Sequence, residues 1–382
     1  MTDFVKKDSE EHDESDQPTV SSDNKKVSIN EYLEMLNSGK VKLVDETRPD
    51  NTSKPTSTST STSPTIKEIN QVMAVHKKAK NITEQILVDA KMGKIVDTGT
   101  VKDLVSELVE HCIKSPEAFV NMTRLKDYDS YTFTHSVNVS VISISIARRL
   151  GSSAQDMKNI GFAGLMHDIG KMWVPEEILN KPGKLTDEEF EIIKMHPVRS
   201  YEYLRDYSEG IPEDILSAVR SHHEKSDGSG YPDGIIEKYI PRFAKIISIA
   251  DVYDAITSEK VYNKGIVPSN ALKMIFSWSG KHFNDALVKF FISAIGIYPV
   301  STLVMLNTNE LAVILEPNKK EPMRPRVLII SNRRLELTKP SFFDLTSYNI
   351  ATRIPYKSIV SALDPRDFNV NPNQIIEQYI GG

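Results

Sequence analysis

Apolar residues recur every three to four positions through IKEINQVMAVHKKAKNITEQILVDAK, VKDLVSELVEHCI and VNVSVISISIARRL, the spacing that lines one face of an α-helix. The third stretch is ambiguous. Its β-branched run, SVNVSVISISIA, has strand propensity, but its length and the closing ARRLG predict a helix with a glycine stop. Thr186 with Glu189 makes a capping box ahead of Phe190, Ile192 and Ile193, and Pro175 suits the first turn of another helix. From Thr65 to about Ile297 the chain therefore reads as helical. After Tyr298 the period changes. TLVMLNTNELAVILEP and RVLIISNRRLELT are paired apolar runs separated by the turn-rich NTNE and SNRR, as β-hairpins are.

The segments ahead of the helices lack such patterning. Residues 1–27 carry Asp3, Asp8, Glu10, Glu11, Asp13, Glu14, Asp16 and Asp23 against few apolar side chains, and burial cannot offset the chain entropy of such a segment. They are expected to be a disordered acidic tail. Residues 28–46 hold one short patterned piece, a helix ended by Gly39 and a strand. Residues 47–64 are a Thr/Ser/Pro tract that reads as a linker. The expected order continues with N-terminal helices over 65–124, a helical core over 125–298 and a β-rich module over 299–382.

Composition narrows the class. The 382 residues, 39% hydrophobic and 26% charged, suffice for two or three domains with a sizeable core. A net charge of −5 with no Lys/Arg block argues against binding long nucleic acid through its phosphates, while leaving room for a small anionic ligand. The one cysteine, Cys112, cannot form an internal disulfide, and the N-terminus lacks the apolar stretch of a signal peptide, so a cytoplasmic protein is expected. No run approaches the ~20 apolar residues of a membrane span. The helical run over 65–92 would pair two chains into a homodimer if its apolar stripe were not buried within one.

Five of nine histidines fall between 135 and 223. His135, His167, His196, His222 and His223, with the carboxylates Asp168 and Asp251, are about what two metal ions require. Imidazole suits Fe, Mn, Ni, Zn or Co, and a carboxylate can bridge two cations roughly 3.5–4 Å apart. Asp168 is the natural bridge, provided that a helix end or a distortion eased by Gly170 lets it and His167 face the same ions. A single histidine on an apolar helix is more often a hydrogen-bonded core residue; the joint occurrence reverses that reading. In HHEKSDGSGYP, Gly228 and Gly230 supply conformations that other residues avoid, and Pro232 stiffens the exit.

The order YTFTH, HDIGK, IKMHP, HHEKSDGSGYP and IADVYDAITSEKVY, with LNKPGKLTDEEFEIIK between, resembles the HD-GYP family of HD-domain metal phosphohydrolases over roughly residues 125–297. The resemblance implies a mainly α fold: an all-helical HD-domain core, here with a small β-rich C-terminal appendage and a disordered acidic N-terminus. It implies hydrolysis of cyclic di-GMP to pGpG, or on to GMP, by a metal-bridging hydroxide. One ion would be held by His135, His167, Asp168 and Asp251, the other by Asp168, His196, His222 and His223; iron or manganese is expected first, with nickel, cobalt or zinc as alternatives. Lys171 would set its ammonium against the scissile phosphate unless it is a solvated helix-end lysine. Asp254, one turn after Asp251, either orients a ligand or Lys171 or is an N-cap or surface acid. Gly230, Tyr231, Lys260 and Tyr262 complete the expected substrate site, an exposed Tyr231 suiting either base stacking or a partner surface such as a diguanylate cyclase (GGDEF) domain.

Two positions depart from the family pattern. Tyr131 stands where some members carry a glutamate for a third ion, so two ions are expected. SEKVY replaces the SDRPY common in the family, and Lys260 lacks the planar fork with which arginine grips phosphate. A low-activity sensor or adaptor that binds the nucleotide or a GGDEF partner is the alternative to an enzyme.

Overall fold

The computed structural model describes residues 66–121, 123, 131–258, 265–318, 321–349, 352 and 354–381. The readings for 1–64, and those for Lys260, Tyr262 and the side chain of Tyr131, lie outside the described residues. The described chain forms two compact units, 66–297 and 298–381. No described helix is long and apolar enough to cross a membrane.

The first unit is helical: α1 (Ile66–Lys91), α2 (Thr98–Lys114), α3 (Pro116–Asn121), α4 (Tyr131–Arg149), α5 (Ala154–Met166), α6 (Glu176–Leu179), α7 (Asp187–Lys194), α8 (His196–Asp206), α9 (Glu213–Arg220), α10 (Arg242–Thr257), α11 (Pro268–Ser277) and α12 (Asp285–Ile295), with a 3-10 turn at Ile169–Trp173. The ambiguous β-branched run is helix α4. It is the central helix, packed against α1, α2, α5, α10 and α12. Its apolar and serine positions are alike buried, from Val137 through Ala147, so propensity is overridden by packing on all sides. The serines and two glycines allow close approach. A Cβ on Gly164 would lie 3.0 Å from Ser140 Cα, and Ser140 Oγ donates to Gly161 O at 2.8 Å. The predicted stop is Gly151, at φ +75°, and α5 runs back antiparallel to α4. His135, near the start of α4, thereby meets His167, just past the end of α5.

The helices before 125 are not a separate layer: α1 and α2 pack on α4, and α2 also on α5. Val72, Val75, Ala79, Leu87 and Ala90 of α1 are buried within the chain, so the stripe that offered a dimer face is already covered. The capping box forms as expected, with Thr186 Oγ1 accepting from Glu189 N and the Glu189 carboxylate accepting from Thr186 N.

The second unit is a five-stranded antiparallel sheet of β1 (Leu303–Leu306), β2 (Leu311–Glu316), β3 (Arg326–Ser331), β4 (Leu337–Asp344) and β5 (Ile359–Leu363), in the order β4-β3-β2-β1-β5. Both predicted hairpins are present, in register Val304↔Ala312 and Leu328↔Phe342. The chain then adds a helix that the strand pattern did not announce, α13 (Pro372–Gly381), whose Ile376 packs with Leu303, Val313 and Leu328.

Candidate metal centre

Helix ends deliver most of the cluster. Helix α5 stops at Met166. His167 keeps helical angles, but Asp168, at φ −102° and ψ 7°, leaves them before the 3-10 turn begins. This is the local break that lets two adjacent residues face one pocket. The contribution of Gly170 is steric, not conformational: a Cβ there would lie 2.1 Å from His196 O and 2.7 Å from Ser200 N. Its missing side chain lets the 3-10 turn dock on α8. Gly170 N donates to Ser200 Oγ, and Ser200 Oγ donates to His167 O, at 2.8 and 2.9 Å. His196 opens α8, and His222 and His223 follow the end of α9 at Arg220. Asp251 and Asp254 lie on α10, a helix with twelve of its sixteen residues buried.

His135, His167, Asp168, His196, His222, His223 and Asp251 are all 6% exposed or less. Their polar atoms converge. Asp168 Oδ2 lies 3.2 Å from His167 Nε2 and 3.7 Å from His135 Nε2, while Oδ1 lies 3.1 Å from His196 Nε2 and 3.8 Å from His222 Nε2. Each carboxylate oxygen thus faces a different pair of imidazoles. Asp251 Oδ1 is 3.0 Å from His135 Nε2, and Oδ2 is 3.6 Å from His223 Nδ1. Two donor groups with cation-binding spacing overlap at Asp168: His135–His167–Asp168 and Asp168–His196–His222–His223.

The hydrogen bonds around the rings fix which nitrogens face the pocket. His167, His196 and His222 direct Nδ1 at the carbonyl three residues earlier, Gly164 at 2.8 Å, Ile193 at 2.7 Å and Val219 at 2.6 Å. A carbonyl only accepts, so each Nδ1 carries a proton and each ring turns its Nε2 inward. His196 Nε2 lies 3.3 Å from His222 Nε2 and 3.2 Å from His223 Nε2. With Nδ1 of both His196 and His222 committed to a carbonyl, their facing Nε2 atoms are suited to a shared cation. His167 Nε2, Asp168 Oδ1 and both Asp251 oxygens are buried without an aligned hydrogen bond, a costly arrangement unless a charged partner is bound. The donor set of imidazoles and carboxylates therefore fits divalent transition ions.

Electrostatics follows from burial and neighbours. Burial holds His222 and His223 well below the usual histidine range, and His196 below it. Burial also disfavours charge on His135, but the Asp251 and Asp254 carboxylates outweigh it and raise the ring to about 9. Asp168 is held well below the carboxylate range: burial opposes ionisation, and His167 and Lys171 more than offset it.

Lys171 Nζ sits on Asp168 Oδ2 at 2.5 Å. Asp254 is buried, neither cap nor surface acid, and accepts from His135 Nδ1 at 2.7 Å, so it orients a histidine and not Lys171. Tyr231 is not the exposed ring that the sequence led us to expect. Its ring packs 4.7 Å from that of His223 and 6.5 Å from that of His196, and burial drives its hydroxyl well above the usual range. Of the two loop glycines, Gly228 has φ +81°, whereas Gly230 is required for close approach, a Cβ there lying 2.3 Å from Lys225 N. Glu224 was missed in the sequence. Its buried carboxylate accepts from the N–H groups of Asp233, Gly234 and Ile235 and ties the loop back beneath the histidines. An acid directly after two histidines and before a glycine-rich turn was the available signal.

A helical bundle that gathers histidines and aspartates around a His-Asp pair at a helix end has the architecture of an HD domain, and residues 101–287 match the family model described as HD domain. The chain therefore carries an HD domain over these residues. It is 38% identical over 273 residues to the cyclic di-GMP phosphodiesterase PA4108 of Pseudomonas aeruginosa, covering 72% of this chain and 66% of that protein. It is 36% identical over 179 residues to the cyclic di-GMP phosphodiesterase response regulator RpfG of Xanthomonas campestris pv. campestris, covering 45% and 47%. The chain thus spans about half to two thirds of the length of these curated relatives. Bd1817, an HDG"Y"P protein from Bdellovibrio bacteriovorus, shares the fold at a TM-score of 0.50 and 17% identity, over 69% of this chain and 78% of that one.

Proposed function

We infer that the protein is a metal-dependent phosphodiesterase that hydrolyses cyclic di-GMP to pGpG. The observation that carries the reading is the convergence of imidazole nitrogens and carboxylate oxygens on two adjoining positions that share Asp168. His135, His167, Asp168 and Asp251 would hold one divalent ion, and Asp168, His196, His222 and His223 the other, with iron or manganese suited to the imidazole-rich set. Bound there, the pair of cations supplies an acidified water and neutralises charge on the phosphoryl oxygens. The residues of the chain do the rest. The helix-end carbonyls and Asp254 hold the rings in their ligating tautomer, and the buried walls exclude bulk water from the reacting phosphate. Lys171, already drawn to Asp168, brings an ammonium to the side where a phosphate oxygen would approach. Water adds to phosphorus as the bond to the ribose 3′-oxygen breaks, that oxygen taking a proton, so one hydrolysis leaves linear pGpG. Tyr231 and Gly230 border the pocket, with Lys260 and Tyr262 as the expected phosphate contacts. The names of the curated relatives support this substrate, and a cyclic dinucleotide substrate is consistent with a cytoplasmic setting.

The test is metal content after anaerobic purification, followed by chromatography of cyclic di-GMP, pGpG and GMP with added Mn or Fe and with cyclic GMP-AMP as a competing substrate. Near two metals per chain with conversion to pGpG is expected. Tight nucleotide binding at two metals per chain without turnover would overturn the enzyme reading in favour of a sensor or adaptor for a GGDEF partner.

A further inference from the structure

Four of the five imidazoles of the cluster are oriented in one of two ways. His167, His196 and His222 lean on carbonyls three residues back in the chain. The Nδ1–H of His135 goes instead to the carboxylate of Asp254, and that carboxylate is itself held from behind. Asn138 Nδ2 donates to Asp254 Oδ1 at 2.8 Å, and Asn138 Oδ1 lies 3.1 Å from His76 Nε2. His76, Asn138, Asp254 and His135 are all buried. His76 belongs to α1, which lies wholly outside the matched family region of 101–287.

The chain of hydrogen bonds has one direction. A carboxylate only accepts, so Asn138 must turn its NH2 to Asp254, which leaves its amide oxygen for His76. His76 must then donate through Nε2–H. The reverse arrangement would set an amide oxygen against a carboxylate in a dry interior, where such repulsion is strong. His76 thus helps to fix the rotamer of Asn138, together with Thr123 O, which accepts from Asn138 Nδ2 at 3.3 Å; Asn138 anchors Asp254, and Asp254 keeps His135 turned with its Nε2 toward Asp168 and Asp251. Outer partners of metal-binding histidines set ion affinity in this way.

We propose that His76 is a positioning residue for the ion bound by His135, His167, Asp168 and Asp251, so that helix α1 is a working part of the metal centre. The inference rests on reading the cluster as a metal site. Replacing His76 by phenylalanine keeps the ring and removes the donor; the buried Asn138 Oδ1 then loses its partner, and only the bonds to Thr123 O and Asp254 are left to hold the amide that anchors Asp254. Glutamine, whose amide can donate, restores the chain.

The experiment uses the full chain as wild type, His76→Phe and His76→Gln, each titrated with Mn2+ alone against a competing chelator and checked by thermal melting. His76→Ala takes the place of the phenylalanine variant if that one fails to fold. The expected result is about tenfold weaker binding of one of two ions in His76→Phe, with the other unchanged. Binding in His76→Gln should return to within about threefold of wild type. For cyclic di-GMP, kcat should fall at limiting Mn2+ and recover at saturating Mn2+, with KM unmoved. Wild-type ion affinity in His76→Phe, or equal weakness in His76→Gln, overturns the proposal. A wild type that binds no Mn2+ would instead overturn the metal-site reading beneath it.

Discussion

The two units of the chain treat buried polarity in opposite ways. In the sheet, the buried strand positions are almost all aliphatic, Leu303, Val304, Ala312, Val313, Val327 and Leu328 among them, and the polar exception, Ser331, is hydrogen-bonded to Leu311 N. In the helical unit, five imidazoles and three carboxylates are buried around one pocket, and several of their atoms lack any aligned hydrogen bond. Burying such groups is unfavourable unless they are paired or hold a metal, so their concentration in one place marks where stability has been exchanged for chemistry. The sheet has the interior of a structure kept for packing; the bundle has one kept for a site.

Substitutions can break that contrast. The largest effect is expected from Asp168→Ala, which removes the group shared by both donor sets. Bound metal measured by elemental analysis should drop from near two per chain to below one, and cyclic di-GMP turnover should fall to background. Unchanged metal content would contradict the assignment. Leu328→Ala should do the reverse: deleting a fully buried side chain from the sheet costs about 3 kcal/mol of stability in denaturant unfolding, with metal per chain unaltered. Gly170→Ala forces a methyl group against His196 O and should weaken ion binding about tenfold, as loss of an outer partner does, while leaving the sheet's unfolding unaffected.

The smallest effect is on pH dependence, and it sharpens the comparison. In metal-free protein, His196, His222 and His223 have lowered pKa values, so below the ordinary value of 6.5 the unfolded chain binds more protons and stability falls. His135 is raised to about 9, so its contribution is full below 6.5 and is lost as pH rises through about 9. The melting temperature of chelator-treated protein should therefore peak near pH 6.5 and decline by a few degrees on either side. A flat profile between pH 5 and 9.5 would contradict this picture of the pocket.

Much of this was legible before the fold was known, for reasons that differ by residue. The residues of the cluster announce themselves because residue type and order carry the chemistry: His167 with Asp168, His222 with His223, and Asp251 after an apolar run. The hairpins were readable from period and turn residues. The steric roles of Gly170 and Gly230 were not, since what a missing Cβ avoids is set by another helix or by backbone folded back from five to seven residues away. The Asn138–Asp254 and His76–Asn138 bonds join residues 116 and 62 positions apart, and no local period encodes such a distance. Helix α13 was hidden because PNQIIEQYIG is too short to show a clear face, and packing against the sheet fixes it.

The central claim is that two ions sit on either side of Asp168. Anomalous scattering from crystals of the manganese-loaded protein tests it most directly. The account predicts two peaks per chain, roughly 3.5–4 Å apart, with one Asp168 oxygen directed at each. A single peak remote from Asp168, or none among the five histidines, would contradict it.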